Sequence, residues 1–185
     1  PVDGNEAEYR LSDEMISVVE NLENSYVHYI GQQTGRSHAQ QSIVIPASDY
    51  VRQQGAVLVE DGQMLLWNNE SGEVTWEFET EESGLYAFGL TYQTVEGNQR
   101  PIEIGVQIDG QYPFEEAKNF SFNRFYEDYG EIRTDNRGNE LHKAQKEIFG
   151  KYFSTVMDPD NVLEFLFYLE SGAHELTLFS VAEPV

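Results

Sequence analysis

The sequence predicts an all-β domain, an antiparallel β-sandwich of the jelly-roll kind that follows a short N-terminal helix. Roughly eight segments alternate apolar and polar residues with a period of two, as half-buried strands do. The turn pairs Asp61-Gly62, Asp109-Gly110 and Ser171-Gly172 follow or separate several of these segments. No helical pattern lies between the segments, whereas a parallel sheet would need crossover helices. These observations favour antiparallel strands in two packed layers.

The N-terminal part of the chain has a different pattern. Residues 1–10 are acidic and are predicted to be flexible. Apolar residues then recur at helical spacing from Leu11 to Ile30, and Ser12 is a candidate N-cap. A polar run follows, so residues 11–41 are interpreted as a helix and a linker.

The predicted β-sandwich domain occupies residues 42–185. Its candidate strands are, in order, SIVIP, AVLVE, MLLW, EVTWEFET, GLYAFGLTYQT, IEIGVQIDG, EFLFYLE and HELTLFSVAE. In EVTWEFET, Val74, Trp76 and Phe78 alternate with polar residues, which predicts one buried and one solvated face. The last two segments alternate less cleanly, so burial of both faces is expected there.

The formal charge restricts the partners of the chain. A net charge of −22 excludes binding to nucleic acid by phosphate neutralisation and disfavours an anionic membrane surface. The charge is uneven, because residues 100–151 hold eight of the eleven basic and ten of the thirty-three acidic residues. No cysteine is present, so disulfides and thiolate metal sites are excluded.

The ends of the chain indicate that it is part of a longer protein. It begins at Pro1 without a methionine and stops at Val185 within an apparent strand. No signal peptide and no apolar run long enough to span a membrane is found, so this piece is not expected to insert into one.

No catalytic residue is predicted. The phosphate-binding, dinucleotide, zinc-helix and nucleophile-elbow motifs are absent, and the four histidines are scattered. No pair of acids has a spacing that indicates a glycosidase. The run DNRGNE fails the EF-hand pattern because Arg137 stands at the third position, and a turn is the favoured interpretation. No cofactor is therefore predicted, although a structural calcium ion on other loop oxygens is left open.

The segment GEIRTDNRGNELHKAQKE, residues 130–147, is the strongest candidate for function. It is long, polar and rich in basic residues, and long loops in compact domains are usually functional or disordered. The preceding FSFNRFYEDYG is aromatic, and a bulge or bend is expected near Asn123. Rings beside planar polar groups suit a neutral sugar. The candidate ligand-binding residues are Arg124, Asp135, Asn136 and Arg137 for hydrogen bonds, and Tyr126 and Tyr129 for stacking.

Several motifs resemble a known family. PFEEAKNFSF, DNRGN and FYLESGAHELTL resemble the N-terminal region of large extracellular solute-binding proteins of bacterial ABC transporters, over about Ser25 to Val185. These are lipoproteins of Gram-positive bacteria, thought to handle sugars, in which a galactose-binding-like jelly roll accompanies the solute-binding domain. The chain departs from the family pattern at Lys118, where an Arg is usual, and after Asn139, where Arg-Pro-Arg-Gln and a Trp are missing.

The resemblance implies a non-catalytic carbohydrate-binding-like domain, extracellular and at the cell surface. Its expected partners are a carbohydrate, the remainder of its own solute-binding protein and the ABC permease. The alternative is a docking module that packs on the solute-binding portion without binding a ligand. An open cleft lined by Tyr129 and Arg137 favours the first function, whereas Arg133 and Arg137 satisfied by internal carboxylates favour the second.

Overall fold

The computed structural model describes residues 22–59, 62–67, 72–94, 101–158 and 163–181. The predicted flexible segment 1–10, the first part of the predicted helix and Asp61 of the first turn pair lie outside these residues. The described strands are β1 (Tyr50–Gln54), β2 (Ala56–Val59), β3 (Met64–Trp67), β4 (Glu73–Thr80), β5 (Gly84–Ala87), β6 (Gly89–Gln93), β7 (Ile102–Ile108), β8 (Phe120–Phe122), β9 (Tyr126–Tyr129), β10 (Arg133–Thr134), β11 (Glu140–Leu141), β12 (Ala144–Glu147), β13 (Lys151–Thr155), β14 (Leu166–Leu169) and β15 (Gly172–Ser180).

The predicted all-β class with antiparallel strands and one short helix is confirmed. Within the described residues the helix α1 spans Tyr26–Gln32, the last part of the segment predicted as helical. The helical pattern is interrupted at Ser25, whose hydroxyl donates to the Leu22 carbonyl at 2.7 Å and accepts from the His28 amide at 3.4 Å. Ser25 therefore acts as the N-cap of α1.

The largest sheet has five strands in the order β1-β4-β15-β7-β8, and all of its ladders are antiparallel. The last strand in the sequence, β15, lies in the middle of this sheet and pairs with β4 over eight residues. The hairpin β2–β3 forms a separate two-stranded ladder, as the sequence predicts.

A second group of strands is built around residues 84–93. Here β5 and β6 are separated only by Phe88, and they pair with β14 and β13 respectively. The Val156 amide donates to the Phe88 carbonyl at 3.0 Å, so β13 and β14 lie end to end along the same side of this strand. Between them the chain leaves the ladder and returns, because the Phe165 amide donates back to the Val156 carbonyl at 3.0 Å.

Both groups of strands and the helix contribute to one apolar core. Buried side chains of the five-stranded sheet include Val74, Trp76, Val106, Leu176 and Leu178, and those of the second group include Val156, Phe165 and Phe167. The helix joins the core through Tyr26, whose ring contacts Phe114 and Phe165 edge-on with centroids at 4.8 and 4.7 Å. The Tyr26 hydroxyl also accepts from the Leu166 amide at 3.0 Å, which fixes α1 on β14.

The segment interpreted as a linker is held on the second strand group. Ala39 donates its amide to the Leu85 carbonyl at 3.1 Å. The Glu82 carboxylate accepts from the Gln40 amide and, at 2.8 Å, from the Gln41 amide. The strand predicted at SIVIP is wrong: these residues form no ladder, since Val44 is 84% exposed and Pro46 has no amide to donate. Within the described ranges no helix is long and apolar enough to cross a membrane.

Candidate interaction surface

The segment predicted as a long loop folds as a projecting β-hairpin, here called the arm and defined as residues 126–147. At its base β9 pairs with β12, so that Tyr126 lies opposite Glu147 and Tyr129 opposite Ala144. Further out, β10 pairs with β11. The strand residues of β9, β10 and β11 are all exposed, whereas β12 is partly buried at its two ends. The remaining strands together with α1 are called the body.

The turn at the end of the arm explains the DNRGN motif. The Asp135 carboxylate accepts from the Arg137 amide at 2.8 Å and from the amide and side chain of Asn139 at 2.9 Å each. Its side-chain bond to Asn139, followed by the backbone bonds to Asn139 and Arg137, lowers the pKa of Asp135 below its usual value. Gly138 adopts φ +83°, a conformation that favours glycine. These contacts fit the turn interpretation, and among the described residues no three acidic or histidine side chains converge into a metal site.

The root of the arm is fixed by a buried ion pair. Arg124 Nη1 lies 2.5 Å from Glu147 Oε1, and the two side chains are only 10% and 7% exposed. Beside it the Ile148 amide donates to the Phe125 carbonyl at 2.8 Å, and the Phe125 ring packs on Tyr152 with centroids 4.4 Å apart. The chain changes partner strands between β8 and β9, at the position where the sequence predicts a bend near Asn123.

The six predicted ligand-binding residues do not meet in one cleft. Arg124 pairs with Glu147 at the root, and Tyr126 and Tyr129 lie on β9, 36% and 54% exposed. Asp135, Asn136 and Arg137 form the turn at the far end. Tyr129 and this turn belong to different ladders of the hairpin, β9–β12 and β10–β11, and lie six residues apart along the chain.

The surroundings of Arg133 and Arg137 match neither of the two arrangements considered from the sequence, an open cleft or pairing with internal carboxylates. Arg133 and Arg137 are exposed, and no ion pair of the described residues includes either of them. They are therefore available to an outside carboxylate. The other charges of the arm are partly matched on its surface, where Lys146 pairs with Glu127 at 2.9 Å.

An apolar surface surrounds the arm and its root. Of the fifteen large apolar side chains that are exposed in the described residues, eight lie between residues 125 and 153. They are Phe125, Tyr126, Tyr129, Ile132, Leu141, Ile148, Phe149 and Phe153. Exposed apolar side chains are normal singly, whereas a contiguous patch of them is typical of a binding surface. Sequence analysis missed most of them; the signal was a Gly-containing turn flanked by Ile132 and Leu141, which is a hairpin pattern.

A second feature is an acidic depression of about 470 Å³, lined by Glu77, Phe78, Glu79, Asp109, His174 and Glu175. Glu77 lies directly opposite Glu175 on the β4–β15 ladder, a like-charge pairing that costs free energy. Arg52 Nη2 reaches Glu175 at 3.2 Å from one side.

His174 closes one wall of this depression. Its Nδ1 lies 2.8 Å from Asp109 Oδ2 and its Nε2 lies 2.7 Å from the Glu170 carbonyl oxygen. Burial by itself lowers the pKa of His174, but the bonds to Glu170 and Asp109 outweigh it and raise the pKa above the ordinary value. Because both ring nitrogens face acceptors, the arrangement suits the doubly protonated ring.

No family model, no curated protein and no solved structure matches this chain.

Proposed function

We propose that this chain is a non-catalytic interaction module whose arm packs onto a protein surface. The observation that carries the proposal is the exposed, two-stranded arm with its concentration of apolar side chains. An isolated two-stranded hairpin is at best marginally stable in water, so a surface that covers it stabilises it. The arm also carries charges of both signs, which suits a protein partner better than a polyanion.

The docking function is favoured over sugar binding because the predicted sugar ligands are separated or already engaged. Asp135 uses its carboxylate in the turn, and Arg124 is paired with Glu147. Exposed arginines and an apolar root are, in contrast, the side chains enriched at protein interfaces.

The finer fold that we propose is a galactose-binding-like jelly roll. The five-stranded sheet and the second strand group would be its two layers. The support is the shared core, to which both strand groups contribute buried side chains. An experimentally determined structure in which the two groups do not face each other would contradict this assignment.

The cellular setting that we propose rests on the resemblance of PFEEAKNFSF, DNRGN and FYLESGAHELTL. The chain would belong to an extracellular, cell-surface solute-binding lipoprotein of a Gram-positive bacterium, working with an ABC permease in sugar transport. The arm would then contact protein at the outer face of the cell.

Limited proteolysis tests the docking function. Trypsin cuts after exposed Arg133, Arg137 and Lys143 only where the arm is accessible. We expect cleavage in the arm to be at least about tenfold slower in the complete polypeptide on producing cells than in the purified chain at low concentration. Cleavage after Arg36, which is exposed on the body, is the internal reference. Equal arm cleavage in the two preparations contradicts docking.

Carbohydrate binding is a second candidate because of one exposed ring. Phe153 is 69% exposed and its ring lies over Gly89, where a Cβ would come within 2.5 Å of Cζ. The neighbouring Thr91, opposite Phe153 on the ladder, would supply a hydroxyl beside this flat platform. Calorimetric titration with neutral and acidic glycans, on the chain and on Phe153→Ala, tests it. Uniform silence with the unmodified chain rejects this candidate.

A further inference from the structure

The root of the arm and the acidic depression lie at opposite ends of β7. Ile102 at the start of β7 pairs with Phe122, after which the chain enters the root of the arm. Ile108 at the other end pairs with Leu176 and is followed by Asp109, which lines the depression. Six residues of strand separate these ends by about 20 Å.

The arm is long enough to span this distance along a neighbouring molecule. From Tyr126 to Asn136 the arm contains ten residue steps, which span about 33 Å when extended. An arm that leaves one end of a body can therefore run along a second body of the same size and reach its far end.

The end of the arm and the depression have complementary chemistry. Arg133 and Arg137 are exposed and take part in no ion pair of the described residues. In the depression, Glu77 faces Glu175 across the ladder, and of these two acids only Glu175 pairs with a cation of the described residues, Arg52 at 3.2 Å. An arriving guanidinium can bind a carboxylate through two parallel hydrogen bonds and relieves the repulsion between these acids.

The distribution of charge favours this part of the chain for self-association. Two chains of net charge −22 repel each other over most of their surfaces. Residues 100–151 hold eight of the eleven basic residues, so the arm is the region where a second copy meets the least repulsion.

Taking the arm as a docking element, as proposed above, we propose that its partner is a second copy of this chain. Each arm lies along the other body and places Arg133 and Arg137 at the acidic depression of Glu77, Glu79 and Glu175. The two bodies are antiparallel and related by a twofold axis, so both contacts are identical and the assembly closes as a dimer. The apolar side chains at the root are covered in the same contact.

A charge-swap experiment tests this dimer. The Arg133→Glu/Arg137→Glu variant places acidic residues at both the end of the arm and the depression, and the Glu77→Arg/Glu79→Arg variant places basic residues at both. Each alone should dimerise at least about tenfold more weakly than the unmodified chain in sedimentation velocity from about 1 to 200 µM. An equimolar mixture should recover the dimer, because every arm in the mixed dimer then meets a depression of opposite charge.

The mixture also distinguishes weakened dimerisation from misfolding, since a variant that fails to fold cannot recover the dimer. The matched control is Arg36→Glu/Lys118→Glu, which changes the net charge as much as the arm variant does but lies outside both the arm and the depression. It should keep most of the dimerisation, because exposed ion pairs such as Lys118–Glu115 contribute little.

Three results overturn the inference: an unmodified chain that stays monomeric over the whole range, a mixture that does not recover the dimer, or open-ended polymers. If the chain is monomeric while its arm is still protected from trypsin on producing cells, the arm docks onto a different protein. In that case this inference fails and the proposed function stands. If protection is also absent, both fail.

Discussion

At the scale of a single residue, His174 links the stability of the fold to pH. Both of its ring nitrogens are hydrogen-bonded and its side chain is 11% exposed. The charged groups around it are Asp109, Glu170 and the nearby Glu175. Its folded pKa is raised, so its stabilising contribution is complete below the unfolded pKa of about 6.5 and is lost as the pH rises through the folded value.

We therefore expect His174→Gln to lower the free energy of unfolding more at pH 5.5 than at pH 8.5, by roughly 1 kcal/mol. Urea denaturation followed by circular dichroism at both pH values measures the difference. His142→Gln, at an exposed position of the arm, is the control for the loss of a histidine. A loss that is equal at the two pH values contradicts this role of His174.

The ion pair between Arg124 and Glu147 gives the second prediction at the scale of residues. Replacing one partner leaves the other charge buried, which costs roughly 3–5 kcal/mol, whereas replacing both by apolar residues is often nearly neutral. Arg124→Met should therefore be more damaging than Arg124→Met/Glu147→Met. The measurements are urea denaturation and amide exchange at Ile148, whose hydrogen bond to Phe125 joins the arm to the body. A double variant as damaged as the single one contradicts the argument.

At the scale of elements, two glycines in the extended segment 84–93 are expected to differ in the stability that is lost when each is replaced by alanine. A Cβ at Gly84 would lie 2.9 Å from the Ala39 amide nitrogen, so the backbone of residues 37–41 would have to move. A Cβ at Gly89 would clash with the Phe153 ring, which is 69% exposed and can rotate away, and would touch Thr155 Cγ2 at an ordinary 3.5 Å. Gly84→Ala should cost about 1–3 kcal/mol by overpacking, and Gly89→Ala less than about 1 kcal/mol.

Thermal unfolding of the two variants side by side checks this difference, since each is the other's control. Equal losses of stability would contradict this prediction, because they would mean that the backbone of residues 37–41 moves as readily as the exposed Phe153 ring.

Strands rich in apolar residues are recovered best from the sequence, because their side chains build the core. EVTWEFET and HELTLFSVAE correspond to β4 and β15, which pair along their length. SIVIP is also rich in β-branched residues, which favour strands, but its backbone pairs with no neighbouring strand. The arm was missed because its strands bury neither face, and the pattern that marks a strand is burial itself.

The arrangement of the candidate site was predicted only in part, because sequence proximity does not fix which residues meet in space. DNRGN was correctly interpreted as a turn, since Asp135, Gly138 and Asn139 supply their own partners. Sequence proximity then grouped Tyr129 with Arg137, but an extended hairpin moves them apart. Arg124 was grouped with them as well, although Glu147, twenty-three positions later, takes its charge.

At the scale of the whole molecule, the net charge of −22 opposes the compact state through repulsion between acids. The screening length falls from about 30 Å at 0.01 M salt to about 3 Å at 1 M. We expect the midpoint of thermal unfolding to rise by at least about 3 °C over this range of sodium chloride. Choline chloride at equal ionic strength should give a similar rise, since screening is not specific to the cation. A midpoint that falls with both salts contradicts the repulsion argument.

The middle position of β15 in its sheet has a consequence for biosynthesis. Ribosomes deliver this strand last, yet β4 and β7 have no direct ladder with each other and are joined only through it. While the nascent chain is still emerging, the sheet stays open at its centre and its strand edges are exposed to chaperones or to other chains. Completion of this sheet must therefore wait until translation has passed residue 180.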